Sequence, residues 1–427
     1  MDSFNRRNFV KGAAILGASS SVNAFNIQEK LGNDKPLKIA LVGCGGRGTG
    51  AAMQAMKVRK GVQLVAVADA FQDKAEAIHK RLTRKENPQI DLPKERVFHG
   101  FDAYKKAIDS DCDLVILTTP PHFRPIHLEY AISKNKHVFM EKPVAVDGPG
   151  IRSVMKSAEV AKSKNLMLAC GLQRHHQFDY RESIQRCKDG DIGNFQYAKV
   201  YWNSGGVWTR KRQEGMSEME YQMKNWYYFN WLCGDHIVEQ HIHNLDVINW
   251  LKGSHPVSCS GMGGRQVRTS KDHGEIFDHF STEYQYADGT QMFSQARHMK
   301  NCTNKVDEYA YGDKGMCHFG AHKITGANNW KFSGKRVSGH QQEWYHLIEA
   351  LDRGEIYNEG YNGAVATMTA IMGRMANYSG KTVTWEQALN STEALVPEGY
   401  DWAANPPTLP NADMSYQIPT PGQYKVI

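Results

Sequence analysis

At 427 residues, with 41% hydrophobic side chains and a formal charge of +7, the chain is long enough for two domains with buried cores. The charge is spread among many acids with no polybasic run, which argues against a nucleic-acid partner. No stretch reaches the ~20 apolar residues of a membrane span, and eight cysteines without a C-x-x-C pair argue against a zinc ribbon or a dense disulfide framework.

In chain order, the first 24 residues read as an address. Arg6 and Arg7 precede a mildly apolar stretch (residues 12–18) and the small-residue site Val22-Asn23-Ala24, which resembles a twin-arginine export signal. Its implied partner is the twin-arginine export machinery, and the expected location is the periplasm. Residues 25–36 are polar and form a linker. From residue 37 strands alternate with helices: apolar runs at 37–42, 62–69, 113–118 and 137–140 are separated by stretches with helical spacing. That alternation predicts a doubly wound parallel sheet over residues 37–160. From about 190 the pattern shifts to strands at 197–202, 257–262, 279–286 and 290–296, with Asp288-Gly289 as a turn. Helices are expected at 235–252, 341–352 and 361–379. The fold class is therefore α/β: an N-terminal Rossmann sheet, then a C-terminal α+β domain over 161–395 with an open-faced, mostly antiparallel sheet for substrate and oligomer contacts. A Pro-, Asn- and Gly-rich tail covers residues 396–427.

Gly43-x-Gly45-Gly46-Arg47-Gly48 follows the first strand and precedes a helix, and Asp69 ends the second strand. Glycines let backbone approach a pyrophosphate, and free N–H groups at a helix start receive its charge. A carboxylate at Asp69 accepts hydrogen bonds from both ribose hydroxyls and repels a 2′-phosphate, which favours NAD over NADP. Arg47 is a further candidate phosphate contact.

Thr118-Thr119-Pro120-Pro121-His122, with His127 five residues on, and then His137-Val138-Phe139-Met140-Glu141-Lys142-Pro143 resemble the signature of the Gfo/Idh/MocA oxidoreductases. The chain departs from it with Asn135 for a usual glycine and His122 for a frequent asparagine; the resemblance covers roughly residues 37–255. It implies that Thr118, Pro120, His122, His127, Glu141 and Lys142 border the cofactor, and that Gln173 and Arg174, just past the next strand, contact cofactor and substrate. It makes Lys142 the catalytic lysine, whose ammonium steadies an alkoxide as hydride leaves the same carbon.

The segment from Gly234 to Asp246 resembles the family's D-x-G-x-H-x-x-D pattern, with Glu239 in place of the first acid and His241 in place of glycine. His243 is then the candidate base, with an acid neighbour, Glu239 or Asp246 on the same helix face, setting its tautomer. Glu239, His241 and His243, helped by His236, also suggest a metal; on one regular helix His241 is turned about 200° from Glu239, so a single ion requires a distorted helix or ligands from elsewhere, and no metal is expected. Trp208 and Trp226, among the aromatics nearby, suit the apolar face of a sugar; His241 and Asp246 join Arg174 as expected substrate contacts. The resemblance implies an exported dehydrogenase with tightly bound NAD, acting on a ring hydroxyl of a sugar or glycoside, at C3 by likeness to members that make 3-keto-glycosides. An NAD-dependent glycosidase, working by transient C3 oxidation and elimination, is the second reading; the Tyr-x-Thr-His pattern associated with such enzymes is missing near Glu239. A homo-oligomer is expected.

Overall fold

The computed structural model describes residues 36–426, so the export motif, the cleavage site and almost all of the linker lie outside them. Six strands form the first sheet: β1 (Leu37–Val42), β2 (Val62–Asp69), β3 (Val97–His99), β4 (Leu114–Leu117), β5 (His137–Met140) and β6 (Leu168–Cys170). They are all parallel, in the order β3-β2-β1-β4-β5-β6. The chain winds outward from β1 in one direction, then returns to β4 on the other side. This leaves a crevice beyond the carboxyl ends of β1 and β4, where doubly wound sheets bind ligands. Alternate side chains feed two cores. Leu114, Ile116 and Phe139 meet helix α1 (Gly46–Met56) on one face, while Val115, Leu117, Val138 and Met140 meet α2 (Arg124–Ser133) and α3 (Gly148–Ser163) on the other.

The boundary expected at residue 160 falls too early, because β6 is the last strand of this sheet. The first face also draws on a helix from far down the chain. Four of the helices that follow are α4 (His236–Glu239), α5 (Ile242–Lys252), α6 (Gly339–Asp352) and α7 (Gly360–Ser379). Helix α6 sets Trp344, fully buried, against Phe139 of β5 with ring centroids 4.3 Å apart. That face would otherwise lie open beside α1, which explains why the chain returns.

The second sheet has nine strands: β7 (Phe195–Ser204), β8 (Ser258–Gly264), β9 (His279–Gln285), β10 (Gln291–His298), β11 (Lys305–Gly312), β12 (Gly315–His318), β13 (Lys323–Gly326), β14 (Trp330–Lys331) and β15 (Val383–Thr384). Every pairing is antiparallel except β7 with β10. Ala198, Val200, Met292, Ala296 and Ala310 point to the inner face under α5 and α7, whereas Tyr197, Tyr201, Tyr309 and Tyr311 point to the other face and are partly exposed. The tail carries Tyr400 and Trp402 back to the first domain, where Trp402 meets Phe101 (4.6 Å) and Phe71 (5.0 Å). The eight cysteines are free thiols, all buried but Cys302. Among the described residues no helix is long and apolar enough to cross a membrane.

Candidate functional site

The glycine loop divides its work by position. Gly43 has φ +102°, and a Cβ there would lie 2.7 Å from the Thr118 carbonyl carbon and the Thr119 nitrogen. A Cβ on Gly48 would run into the Gly43 carbonyl oxygen. These two glycines bring β1, β4 and α1 together, helped by the Thr118 hydroxyl, which donates to the Gly43 carbonyl at 2.8 Å. A Cβ on Gly45 or Gly46 would meet nothing within 4 Å. Backbone is thus bare where the first-turn N–H groups of α1 lack helical acceptors, the arrangement a pyrophosphate requires. Asp69 stands at the rim: Oδ2 accepts from the Cys44 N–H at 2.7 Å and Oδ1 from the Phe71 N–H at 3.0 Å. Burial raises its pKa, against Lys74 and those two donors. The residues fit a bound dinucleotide.

Arg47 does not reach toward that loop as a free phosphate contact. Its guanidinium pairs with Glu141, with Glu343 of α6 at 2.8 Å and with Gln54 at 2.8 Å. Two buried acids already share this one cation. Glu343 is held well above the usual carboxylate range by burial and then by Glu141. His127, on α2, stacks on Tyr104 at 4.1 Å and lies 3.3 Å through Nδ1 from the Thr119 hydroxyl, so it reaches the crevice only through Thr119. His122 sits among aromatics, 2.9 Å from the Tyr400 hydroxyl and 4.9 Å from the Trp231 ring centroid. Burial lowers the His122 pKa to about 3. Between these segments lies Arg124, fully buried, which the sequence reading missed. It donates to the Glu141 carbonyl (2.9 Å) and the Thr119 carbonyl (2.7 Å), fixing the loop after β4 against the end of β5.

Past β5 the backbone carries Glu141 and then Lys142, joined to Pro143 by a cis peptide bond. The Lys142 Nζ donates to the Glu239 carbonyl at 2.6 Å and to Glu239 Oε1 at 3.2 Å. This contact corrects the expected unbroken helix over 235–252. In a regular helix the Glu239 carbonyl accepts from the His243 N–H. Here the ammonium takes that carbonyl, the His243 N–H turns to Gln240 at 3.4 Å, and α4 and α5 separate at residues 240–241. The Glu239 carboxyl is raised by burial, with Lys142 and then the Tyr227 hydroxyl working against the rise.

His243 is buried beside the Trp202 ring, with centroids 6.4 Å apart. Burial first, and the Lys142 and Arg174 charges next, hold its pKa well below the usual value, so the imidazole is neutral. The acid neighbour expected on its face is engaged elsewhere. Asp246 bonds His175 Nε2 at 2.7 Å, and that imidazole stacks on Trp250 at 4.2 Å. Burial works to lower the His175 pKa, but Asp246 outweighs it and the pKa ends raised. His241 is a second correction. The break in the helix sends it into the sheet, where Nε2 meets the Ser294 hydroxyl at 2.7 Å in full burial. It is a structural residue, lowered to about 3 by burial. Among the described residues, no three His, Cys, Asp or Glu side chains gather as a metal-ligand set.

Arg174 lies in the turn after β6 and pairs with the fully buried Glu308 of β11, which also accepts from Tyr180 at 3.0 Å and from Asn244. It therefore ties the first domain to the second sheet rather than lying free for substrate. Gln173, in the same turn, is partly buried against the start of α6. Trp208 is 41% exposed on the loop after β7 and meets Trp226 edge-on at 6.1 Å, an apolar rim above Tyr227.

Residues 37–172 match the model of an oxidoreductase family with an NAD-binding Rossmann fold. Inositol 2-dehydrogenase of Klebsiella pneumoniae is 27% identical over 218 residues, 50% of this chain and 54% of that protein. The match therefore spans about half the length of that relative. Inositol 2-dehydrogenase of Ralstonia nicotianae is 23% identical over 350 residues, covering 77% of this chain and 91% of that one. Among solved structures, the aldose-aldose oxidoreductase of Caulobacter crescentus aligns with a TM-score of 0.64 at 17% identity, over 82% of this chain and 100% of that one.

Proposed function

We propose that this chain, a Gfo/Idh/MocA oxidoreductase with its NAD-binding Rossmann fold in residues 37–172, oxidises a ring hydroxyl of a sugar, glycoside or related polyol. The observation that carries the reading is the Lys142–Glu239 contact at the carboxyl end of β5, beside a buried, neutral His243. The activities named for the relatives, on inositol and on aldoses, support a polyol ring. Asp69, the first-turn N–H groups of α1 and the bare backbone at Gly45 and Gly46 would hold the dinucleotide. Bound NAD supplies the hydride acceptor.

The residues of this chain then have distinct tasks. Lys142, fixed by two oxygens of Glu239, presents a cation to the reacting oxygen as negative charge develops there. His243, neutral and in a desolvated position, takes the hydroxyl proton. Glu239 positions the ammonium. Because His243 is held well below the usual histidine pKa, it remains a competent base where an exposed imidazole would be half protonated. We expect kcat/KM to stay level as pH falls from 7 through 6.5, the ordinary histidine value; a half-loss centred near 6.5, absent in a His243 variant's residual activity, would show an imidazole that titrates as if exposed.

Incubation of the purified protein with NAD and a p-nitrophenyl glycoside tests the reading. Keto-sugar accumulating with rising absorbance of reduced cofactor supports net oxidation, with C3 as the site sought first. Nitrophenol release without net reduction supports the glycosidase reading instead. Asp69→Ala removes the ribose acceptor, a loss of about 1.5–3 kcal/mol for hydrogen bonds to a charged group. Its Kd for NAD is expected to rise about 10–150-fold by fluorescence titration, and an unchanged Kd argues against the placement of the adenosine ribose. We also infer export by the twin-arginine route from residues 1–24, with cofactor bound before translocation, and self-association through the open face bearing Tyr197, Tyr201, Tyr309 and Tyr311. Fractionation of a tagged chain, with Arg6 and Arg7 replaced by lysines as control, checks the first; light scattering checks the second.

A further inference from the structure

Three buried arginines of this protein reach oxygen acceptors, although Arg374 Nη2 makes no hydrogen bond and lies 3.6 Å from Glu393 Oε2. Arg174 has Glu308, Arg124 has carbonyls of Thr119 and Glu141, and Arg374 has Val146 O at 2.7 Å and Asn230 Oδ1 at 2.9 Å. Arg268 is different. It lies in the loop between β8 and β9, with 5% of its surface exposed. Its backbone is fixed, the N–H donating to Asp278 Oδ2 at 3.0 Å. Its guanidinium lies over the Tyr228 ring at 5.1 Å and donates through Nη2 to His298 Nδ1 at 3.0 Å. Nη1 is buried and makes no hydrogen bond, and no carboxylate among the described residues pairs with the group. A neutral imidazole does not balance a buried cation, and burial of an unpaired charge is strongly unfavourable.

The neighbours show what the group is set to receive. An arginine only donates, so His298 Nδ1 accepts and the proton of a neutral His298 ring sits on Nε2. That Nε2 is likewise buried without a partner. His298 stacks on His236 at 4.3 Å, and the His236 Nε2 is a third buried atom with nothing bonded to it. Gly206, with φ +93°, brings the loop after β7 directly over the guanidinium: a Cβ there would lie 2.5 Å from Nη2. Two buried donors, Arg268 Nη1 and His298 Nε2, thus belong to one hydrogen-bonded pair of side chains under a close-fitting loop.

The cluster adjoins the Lys142–Glu239 contact. His236 begins α4 and Glu239 ends it, a rise of about 4.5 Å. Tyr227 stacks on His298 at 6.1 Å, and its phenol feels both the Glu239 carboxyl and the Arg268 cation. Arg265 nearby spends its Nε, Nη1 and Nη2 on the carbonyls of Arg268, Gly274 and Ser270, so Arg268 Nη1 and His298 Nε2 are the donors of this cluster left without an acceptor. One cation with one neutral donor suits a carboxylate better than a phosphate dianion.

Resting on the dehydrogenase reading above, we propose that the substrate carries a carboxylate, bound by Arg268 with His298, so that the class oxidised is a sugar acid or its glycoside. The test is calorimetric titration of the NADH-loaded protein with D-glucuronate, D-galacturonate and D-mannuronate, each beside its neutral aldose, and with D-glucose 6-phosphate. At least one uronate is expected to bind tenfold or more tighter than its aldose, and Arg268→Met is expected to remove that difference while NADH still binds. Arg268→Lys, which keeps a cation without the planar fork, carries the comparison if the methionine variant fails to fold, with the preference reduced. No preference for any uronate, a preference that survives in the variant, or tighter binding of the sugar phosphate overturns the proposal. If NADH itself does not bind, the dehydrogenase reading falls with it; if NADH binds and the uronates show no advantage, only the carboxylate assignment falls.

Discussion

Lys142→Met is expected to lower kcat by about 10²–10³-fold, the usual effect of removing one preorganised donor from a developing oxyanion. The ammonium is held in place twice, by the Glu239 carbonyl and by Glu239 Oε1, so its position does not depend on substrate. The expected folding loss is smaller than for most broken buried pairs, because burial already raises the Glu239 pKa and the carboxyl can take up a proton when the cation is gone. NAD binding is expected to stay within a few-fold, since the glycine loop and Asp69 make no contact with this side chain. Lys142→Arg should rescue little: a planar fork does not replace a compact point charge between two acceptors. Steady-state kinetics with parallel NAD titration checks each of these outcomes, and a variant with kcat within threefold of the parent removes Lys142 from the chemistry.

The second large effect is on stability. Glu308→Leu leaves Arg174 buried without its carboxylate and strips an acceptor from Tyr180 and Asn244. Breaking a buried pair from one side costs about 3–5 kcal/mol. Asn244 follows His243 in α5, so activity should fall along with stability. The double variant Arg174→Met/Glu308→Leu is the sharper experiment, because it removes the stranded charge; it should recover most of the loss in urea unfolding. If the double variant is no more stable than Glu308→Leu alone, the loss comes from packing and not from the uncompensated guanidinium.

How much of this was legible in sequence depended on how far apart the interacting residues lie. The glycine loop, Asp69 and the Glu141-Lys142-Pro143 segment are local, and each announces its chemistry within a few residues. The break between α4 and α5 is not local: its cause is an ammonium 97 residues away that claims one helical carbonyl. Without that break, helical spacing points His241 toward substrate and sets Asp246 beside His243, whereas His241 meets Ser294 and the Asp246 carboxylate serves His175. Arg124 carries no local mark of its role, and only its three-dimensional setting shows it gripping the Thr119 and Glu141 carbonyls. Arg268 sits in a run of polar and basic residues where one unpaired guanidinium has no distinguishing mark. The tail did carry a readable signal, since Tyr400 and Trp402 are large aromatics in an otherwise Pro-, Asn- and Gly-rich stretch, but which surface they cover could not be read from periodicity.

Helix α6 has a consequence for how the molecule comes into being. The strands of the first sheet leave the ribosome early, yet the residue that closes one of its faces is Trp344, in the last fifth of the chain. Until that helix emerges, Phe139 and its neighbours present an oily surface to whatever is nearby, and a transiently bare face of this kind invites association with other unfinished chains. That face of the nascent first domain therefore stays open until the helix Gly339–Asp352 has been made.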